Sequence, residues 1–307
     1  MNIAQLIDVC AQQLEKAGVA FGHGTTNAHD EATWLVLWRL GLPLDSDLNA
    51  PEQQGKPALT MEQQVLVAAL MTERISSRKP AAYLTQEAWL QGVPFYVDER
   101  AIVPRSLIAE LLVDGSLDYW LSDQTHQVLD LCTGNGSLAV LAAMAWPDVH
   151  VLAALNYPDI RVTASDISEQ ALEVARINVD KHALSSRIQL LQADGLPHNA
   201  GPFVLILCNP PYVSASGMHK LPPEYLREPR LALDGNTSGS QDGMDFIRPL
   251  LAQAAAHMRE NAVLVLEIGN ERAHFETAYP RLEAVWLETS AGEDQVLLLT
   301  RQSLLKA

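Results

Sequence analysis

From residue 128 onward, short apolar runs alternate with segments of helical periodicity, and this alternation leaves few architectures open. Residues 128–131, 161–165, 188–191, 203–208 and 262–268 read as buried strands, and residues 137–145, 169–182 and 244–258 as helices. Strands that alternate with helices predict a mainly parallel sheet covered on both faces, because each crossover lays a helix over the sheet. Residues 285–287 and 295–299, joined by a turn at Gly292-Glu293-Asp294, read as a closing antiparallel pair. The expected fold class is α/β.

The chain before this region has a different period. Apolar residues recur at three- and four-residue spacing over 3–17, 30–40 and 61–75, with turn-rich pieces at 22–24 and 51–57 between them. This predicts a smaller all-α domain over residues 1–90. Two apolar runs, 95–97 and 101–103, flank Asp98-Glu99-Arg100 and read as a β-hairpin within a linker spanning 91–105. The α/β domain then occupies 106–307. A length of 307 residues suits two domains better than one hydrophobic core.

The formal charge of −16, from 37 acidic and 21 basic residues, disfavours general binding to phosphate backbones and suits a basic protein partner. Cys10, Cys132 and Cys208 are odd in number and widely spaced, which argues against a disulfide framework or a structural metal and for a reducing, cytoplasmic setting. The N-terminus has no basic segment ahead of an unbroken apolar core, so it does not read as a signal peptide. The most apolar stretch, 138–155, is interrupted by Pro147, Asp148 and His150, so no membrane span is expected. His23 and His29 have no carboxylate motif around them and read as loop residues.

The loop Asp130-Leu131-Cys132-Thr133-Gly134-Asn135-Gly136 follows the first strand and opens a helix, so its glycines let the backbone turn sharply against a ligand. Gly134-x-Gly136-x-x-Ala139 also satisfies a dinucleotide fingerprint, which makes a nicotinamide-dependent oxidoreductase a rival. Asp130 separates the two: a carboxylate suits the cationic amino acid portion of S-adenosyl-L-methionine and sits poorly beside a pyrophosphate. At the end of the second strand, Asp166 can accept from both ribose hydroxyls, or can cap the helix that follows. Asp194 in Ala193-Asp194-Gly195 can accept from an adenine amino group, or belong to an ordinary turn.

At the end of the fourth strand stands Asn209-Pro210-Pro211-Tyr212, where open α/β sheets place ligands. The lone pair of an amide or aromatic amine nitrogen is delocalised, so acceptors must hold its two hydrogens to aim that lone pair at a methyl group. The Asn209 side-chain oxygen and the Pro210 carbonyl can be those acceptors, Pro211 stiffens the segment, and Tyr212 supplies an aromatic wall. A rigid turn is the structural alternative. No metal is required by this chemistry, and Cys208 reads as a buried strand residue rather than a nucleophile.

With these residues the chain resembles the HemK-type protein-(glutamine) methyltransferases over nearly its full length. The resemblance runs through 95–100, Val103-Pro104-Arg105-Ser106, 130–136, 209–212, Glu228-Pro229 and Glu267-Ile268-Gly269-Asn270. Val103-Pro104-Arg105-Ser106 and Leu131-Cys132-Thr133-Gly134 look like the branch that modifies a glutamine of a large-subunit ribosomal protein of the uL3 type, rather than the release-factor branch. The resemblance implies a class I, Rossmann-like, seven-stranded methyltransferase domain and a helical substrate-recognition domain. It also implies S-adenosyl-L-methionine as cofactor and a basic ribosomal protein as substrate, free or within an assembling large subunit. Residues 148–160 and 235–242 look longer than the family pattern. A DNA or RNA adenine methyltransferase and a non-catalytic ribosome-assembly factor remain as alternatives. The acidic charge opposes the first, and the intact cofactor and target motifs oppose the second.

Overall fold

The computed structural model describes residues 1–46, 58–121, 127–146 and 160–306. The turn-rich piece at 51–57 and most of the long 148–160 connection lie outside them. The described chain divides into two compact units, one of Met1–Ala88 with Leu221–Arg227, the other of Trp89–Lys220 with Glu228–Ala307.

The first unit contains α1 (Ile3–Lys16), α2 (Ala28–Arg39), α3 (Met61–Ser77) and α4 (Ala81–Thr85). Capping boxes start α1 at Asn2 and α3 at Thr60, where the reciprocal bonds with Gln5 and Gln63 satisfy backbone donors that a helix N-terminus leaves unpaired. Leu6, Ile7, Leu14, Leu35, Leu37, Val67 and Met71 fill the core. Arg74 is buried in that core on Glu31 at 2.8 Å. Glu224, from a segment remote in sequence, lies 3.1 Å from Arg78. His23 lies in the loop before α2, as expected, but is buried with its ring against Tyr225, whereas His29 is exposed in the first turn of α2 rather than in a loop.

Where the chain leaves this unit, β1 (Glu87–Leu90) pairs with β2 (Val93–Tyr96). The expected hairpin of 95–97 with 101–103 is therefore displaced by about one strand. Gln91 and Gly92, both at positive φ (50° and 75°), make the two-residue turn whose twist matches a hairpin. The Asp98-Glu99-Arg100 triplet is instead a clamp: Arg100 reaches Asp98 at 2.7 Å and Glu173 at 2.7 Å.

The second unit is built on a seven-stranded sheet of order β5-β4-β3-β6-β7-β9-β8. The strands are β3 (Gln127–Leu131), β4 (Arg161–Asp166), β5 (Ile188–Gln192), β6 (Phe203–Cys208), β7 (Met258–Glu267), β8 (Val285–Thr289) and β9 (Gly292–Thr300). All pairings are parallel except those of β9 with β7 and β8. Around the sheet lie α5 (Ile108–Val113), α6 (Ser137–Ala145), α7 (Glu169–Lys181), α8 (Ala215–Met218), α9 (Ile247–Ala254), α10 (Arg272–Ala278) and α11 (Arg301–Lys306). Val128, Leu205, Leu207 and Val263 pack with α5 and α6 on one face, and Leu129, Ile206, Leu264 and Leu266 with α9 on the other. Residues of β3, β6 and β7 thus alternate between two apolar faces, so β6 is apolar throughout, while β3 carries the buried Asp130 and β7, after Met258, the exposed Arg259, Glu260 and Asn261.

Two boundaries differ from the sequence reading. The 244–258 helix shortens to α9 and a 3-10 turn (Ala255–His257), and β7 begins at Met258. Pro249 falls in the first turn of α9, where its missing N–H costs nothing. The terminal hairpin turns at Ser290 and Ala291, because Gly292 already pairs with Thr289, so Gly292-Glu293-Asp294 is strand rather than turn. Among the described residues, no helix is long and apolar enough to cross a membrane.

Candidate active site

Strand order reverses at β3, with β4 on one side and β6 on the other, so a crevice opens at the carboxyl ends of these strands. Leu131 is in register with both Ser165 and Cys208. Residues 132–136, Asp166 and Asn209 consequently leave the same edge of the sheet on neighbouring strands.

Cys132, Gly134 and Gly136 all have positive φ, at 61°, 56° and 80°. Two of the three are glycine, which adopts this region without strain. A Cβ on Gly136 would come 3.1 Å from the Ala175 Cβ of α7, so the loop lies tightly on that helix. Thr133 N–H donates to the Ser165 carbonyl at 2.9 Å, and Ser137 N–H to the Asn135 side chain at 3.2 Å. Asn178 of α7 donates to the Asn135 carbonyl at 2.8 Å and to the Tyr96 carbonyl at 2.9 Å, holding the loop to the 96–103 segment. Sequence reasoning assigned Asn178 no role; a lone Asn in a helix gives no signal until its partners are known.

Asp130 is fully buried. One carboxylate oxygen accepts from the Thr133 hydroxyl at 2.5 Å and the Ala139 N–H at 3.0 Å, while the other has no hydrogen-bond partner among the described residues. Burial pushes its pKa up to about 7 against the pull of those two donors. A buried acceptor without a donor fits a cationic ligand group. Asp166 accepts from Gly134 N–H and Ser168 N–H, both at 2.9 Å, and burial raises its pKa despite these bonds. Ser168, whose hydroxyl accepts from Ala171 N–H, is the residue that caps α7. Asp194 is exposed beyond β5, next to an Ala193 N–H that donates to the Asp166 carbonyl, and the following Gly195 turns at φ 74°.

Cys208 is buried at the end of β6, and its thiol shares a hydrogen bond with that of Cys132. This bond and burial hold Cys132 well above the ordinary thiol range. Asn209 is half-buried, and among the described residues no side-chain hydrogen bond occupies its amide. Pro210 is buried and Pro211 half-buried behind it. The Tyr212 ring lies on Gly269, where a Cβ would come 2.6 Å from the ring. Burial and the nearby Glu267 carboxylate both raise the Tyr212 hydroxyl above its ordinary range.

Three further residues brace this wall. Glu267, at the end of β7, accepts from the Ser106 hydroxyl at 2.6 Å and Leu107 N–H at 2.9 Å, and burial lifts its pKa to about 7. Arg105 forms two 2.7 Å bonds to Glu228, which also accepts from Val103 N–H at 2.9 Å. These positions fall within the motifs that carried the family resemblance, yet their pairing needs three separate stretches of chain and is invisible in any one. Among the described residues, no three His, Cys, Asp or Glu side chains converge as a metal site.

The strand order, the glycine loop after β3 and the Asn-Pro-Pro-Tyr segment after β6 define a class I methyltransferase fold. The Methyltransferase small domain family matches residues 110–228. The chain is 46% identical over 99% of its length to the ribosomal protein uL3 glutamine methyltransferase of Bordetella pertussis, covering 96% of that protein. It is 45% identical over 99% of its length to the protein of the same name from Neisseria gonorrhoeae, covering 96% of it. Among solved structures, a methyltransferase from Pyrococcus furiosus aligns with TM-score 0.46 and 17% identity over 69% of this chain and 90% of that one. The chain belongs to the family of ribosomal protein uL3 glutamine methyltransferases.

Proposed function

We propose that this chain transfers the methyl group of S-adenosyl-L-methionine to the side-chain amide nitrogen of a glutamine in ribosomal protein uL3, with Asn209-Pro210-Pro211-Tyr212 orienting that nitrogen. The observation that carries the site assignment is the register of Leu131 with Cys208, which sends the Asp130–Gly136 loop and Asn209 out of one edge of the sheet. When bound, the cofactor supplies an electrophilic methyl group on a sulfonium.

The chain's own residues supply the rest. The unpaired Asp130 oxygen would answer the cationic amino acid portion, Cys132, Thr133, Gly134, Asn135 and Gly136 would shape the backbone around it, Asp166 would take the ribose hydroxyls, and Asp194 the adenine amine. The Asn209 oxygen and Pro210 carbonyl accept the two amide hydrogens, so the nitrogen lone pair points toward the methyl group. Alignment, rather than acid–base chemistry, then provides most of the rate gain, because a well-oriented pair reacts as if at an effective concentration of about 10⁵ M or more. Tyr212, seated on Gly269, walls the planar amide.

Incubating the purified chain with uL3 and isotopically labelled S-adenosyl-L-methionine, followed by peptide mass spectrometry, tests the assignment. Label on a uL3 glutamine is expected. Label on a release factor or nucleic acid instead would overturn it.

A finer expectation concerns how the substrate arrives. The acidic chain steers a basic uL3, free or within an assembling large subunit, in the cytoplasm. Charges more than about 8–10 Å apart are screened at moderate salt, so kcat/KM for uL3 should fall as salt is added. A flat response would remove steering from the account.

A further inference from the structure

We infer that residues 233–245 form a clasp that fixes the backbone just after Tyr212, and that Asn236 is a positioning residue for methyl transfer. This rests on the assignment of Asn209–Tyr212 to the target nitrogen.

The segment takes up both backbone polar groups of Val213. Val213 N–H donates to the Leu233 carbonyl at 2.9 Å, and the Val213 carbonyl receives Gly235 N–H at 3.1 Å and the Asn236 side-chain amide at 2.9 Å. Ala215 N–H donates to the Gln241 carbonyl at 3.1 Å. The Asn236 oxygen in turn accepts Gly243 N–H at 2.9 Å, so one side chain ties the Val213 carbonyl to the returning half of the clasp.

Two glycines allow the approach. A Cβ on Gly243, which has φ 78°, would stand 2.0 Å from the Tyr212 carbonyl oxygen, and one on Gly235 would stand 2.3 Å from the Gly243 carbonyl oxygen. Three backbone stretches are therefore in direct contact, with no room for any larger residue.

The clasp is anchored at both ends. Asp234 accepts from Asn236 and pairs with Arg230 at 2.7 Å; Arg248 of α9 pairs with Asp242 and, at 3.3 Å, with Asp245. From the other side, Ser214 N–H donates to Glu271 at 3.0 Å. Asn209 to Tyr212 is thus held at its N-terminal end by β6 and at its C-terminal end by this clasp. The Asn236 amide is taken up by the Val213 carbonyl and Asp234 and its oxygen by Gly243 N–H, so its effect on the reaction passes through Val213. A displacement of about 1 Å at a reacting centre can cost on the order of a hundredfold in rate.

The test compares Asn209→Ala, Asn236→Ala and Asn236→Asp in the full-length enzyme with uL3 as substrate. Asn236→Asp has the same shape and keeps the acceptor for Gly243 N–H but, when ionised, cannot donate to Val213. Both Asn236 variants should lose at least about tenfold in kcat, with cofactor Kd and the KM for uL3 unchanged. Faster amide exchange in residues 212–215 should accompany the loss. A folded Asn236→Ala that turns over at the parental rate, while Asn209→Ala is inactive, would overturn the clasp and leave the target site intact. Should Asn236→Ala fail to fold, a parental kcat in Asn236→Asp would do the same. Loss of cofactor binding together with kcat in both Asn236 variants would replace positioning by a general structural role. A parental rate in Asn209→Ala would instead remove the target-site assignment itself.

Discussion

Tyr212 rests on Gly269: a Cβ at position 269 would come 2.6 Å from Cε2 of the ring and 3.0 Å from its hydroxyl. Gly269 also sits at φ 52°, a conformation that L side chains rarely adopt. The glycine therefore serves the ring and the turn at once. Gly269→Ala should push the ring off its seat, lowering kcat for uL3 at least about tenfold. The left-handed backbone should add a stability cost of about 1–2 kcal/mol. Cofactor affinity should hold, because the glycine loop after β3 is untouched. Steady-state kinetics with calorimetry of cofactor binding checks this, and a parental kcat would show that Tyr212 needs no fixed seat.

Asn209→Ala removes the side-chain acceptor for one amide hydrogen. Turnover should fall at least about a hundredfold, while cofactor Kd stays at the parental value. Asn209→Asp keeps an acceptor but adds negative charge beside the Pro210 carbonyl, and it should be impaired as well. Single-turnover methylation of uL3 measures both variants.

Asp166→Ala should weaken cofactor binding by about 1.5–3 kcal/mol, the range for hydrogen bonds to a charged group. The carboxylate also accepts from Gly134 N–H and Ser168 N–H, so the same change should lower the melting temperature. Asp166→Asn, which retains an acceptor oxygen, should recover part of the stability. Calorimetry and thermal unfolding separate the two effects, and unchanged affinity in folded Asp166→Ala would confine the residue to loop structure.

The pKa of Asp130, raised by burial to about 7, predicts a pH signature. An ionised carboxylate pairs with a cation and a protonated one does not. Cofactor affinity should therefore rise from pH 6 to pH 8, by up to about tenfold. Asp130→Asn should lose that increment while keeping a similar shape. Isothermal titration across this range decides it; equal slopes for parent and variant would exclude Asp130 as the titrating group.

Stability of the ligand-free protein should run the other way. Asp130 and Glu267 both have folded pKa values raised to about 7, chiefly by burial. In the window from about pH 4 to 7 the folded state binds more protons than the unfolded chain, so stability is fully present below that window and is lost as pH rises through it. For Asp98, Asp234, Asp242 and Asp245, burial pushes upward but hydrogen bonds from Arg100, Asn236, Arg248 and Ser240 outweigh it and lower the pKa. Their contribution is present above about pH 4 and is lost in stronger acid. Denaturant unfolding at pH 6 and pH 8 should show the neutral-range loss, and Glu267→Gln should reduce it.

Apolar runs and turn signals located the seven strands of the sheet, although β7 starts at Met258, at the end of the stretch read as helix, and β9 takes in the expected turn at 292–294. β6 and the 262–266 part of β7 are buried on both faces and apolar at every position, so there burial is written directly into residue type. The glycine loop and the Asn-Pro-Pro-Tyr segment were legible for a related reason: positive φ and a fixed φ restrict which residues can stand there. The hairpin of β1 and β2 was legible in principle through Gln91-Gly92, but the charged 98–100 triplet resembled a turn more strongly than it does in the fold, where Arg100 pairs with Asp98 and Glu173. Tertiary structure alone decided the rest. Glu224 joins the helical unit, Glu228 meets Arg105, Glu267 meets Ser106, and Asn236 meets Val213. Each pairing joins residues remote in sequence or depends on a loop's path. A hydrogen bond is satisfied by whichever partner the fold brings near, so the residue type at either end carries no record of the other.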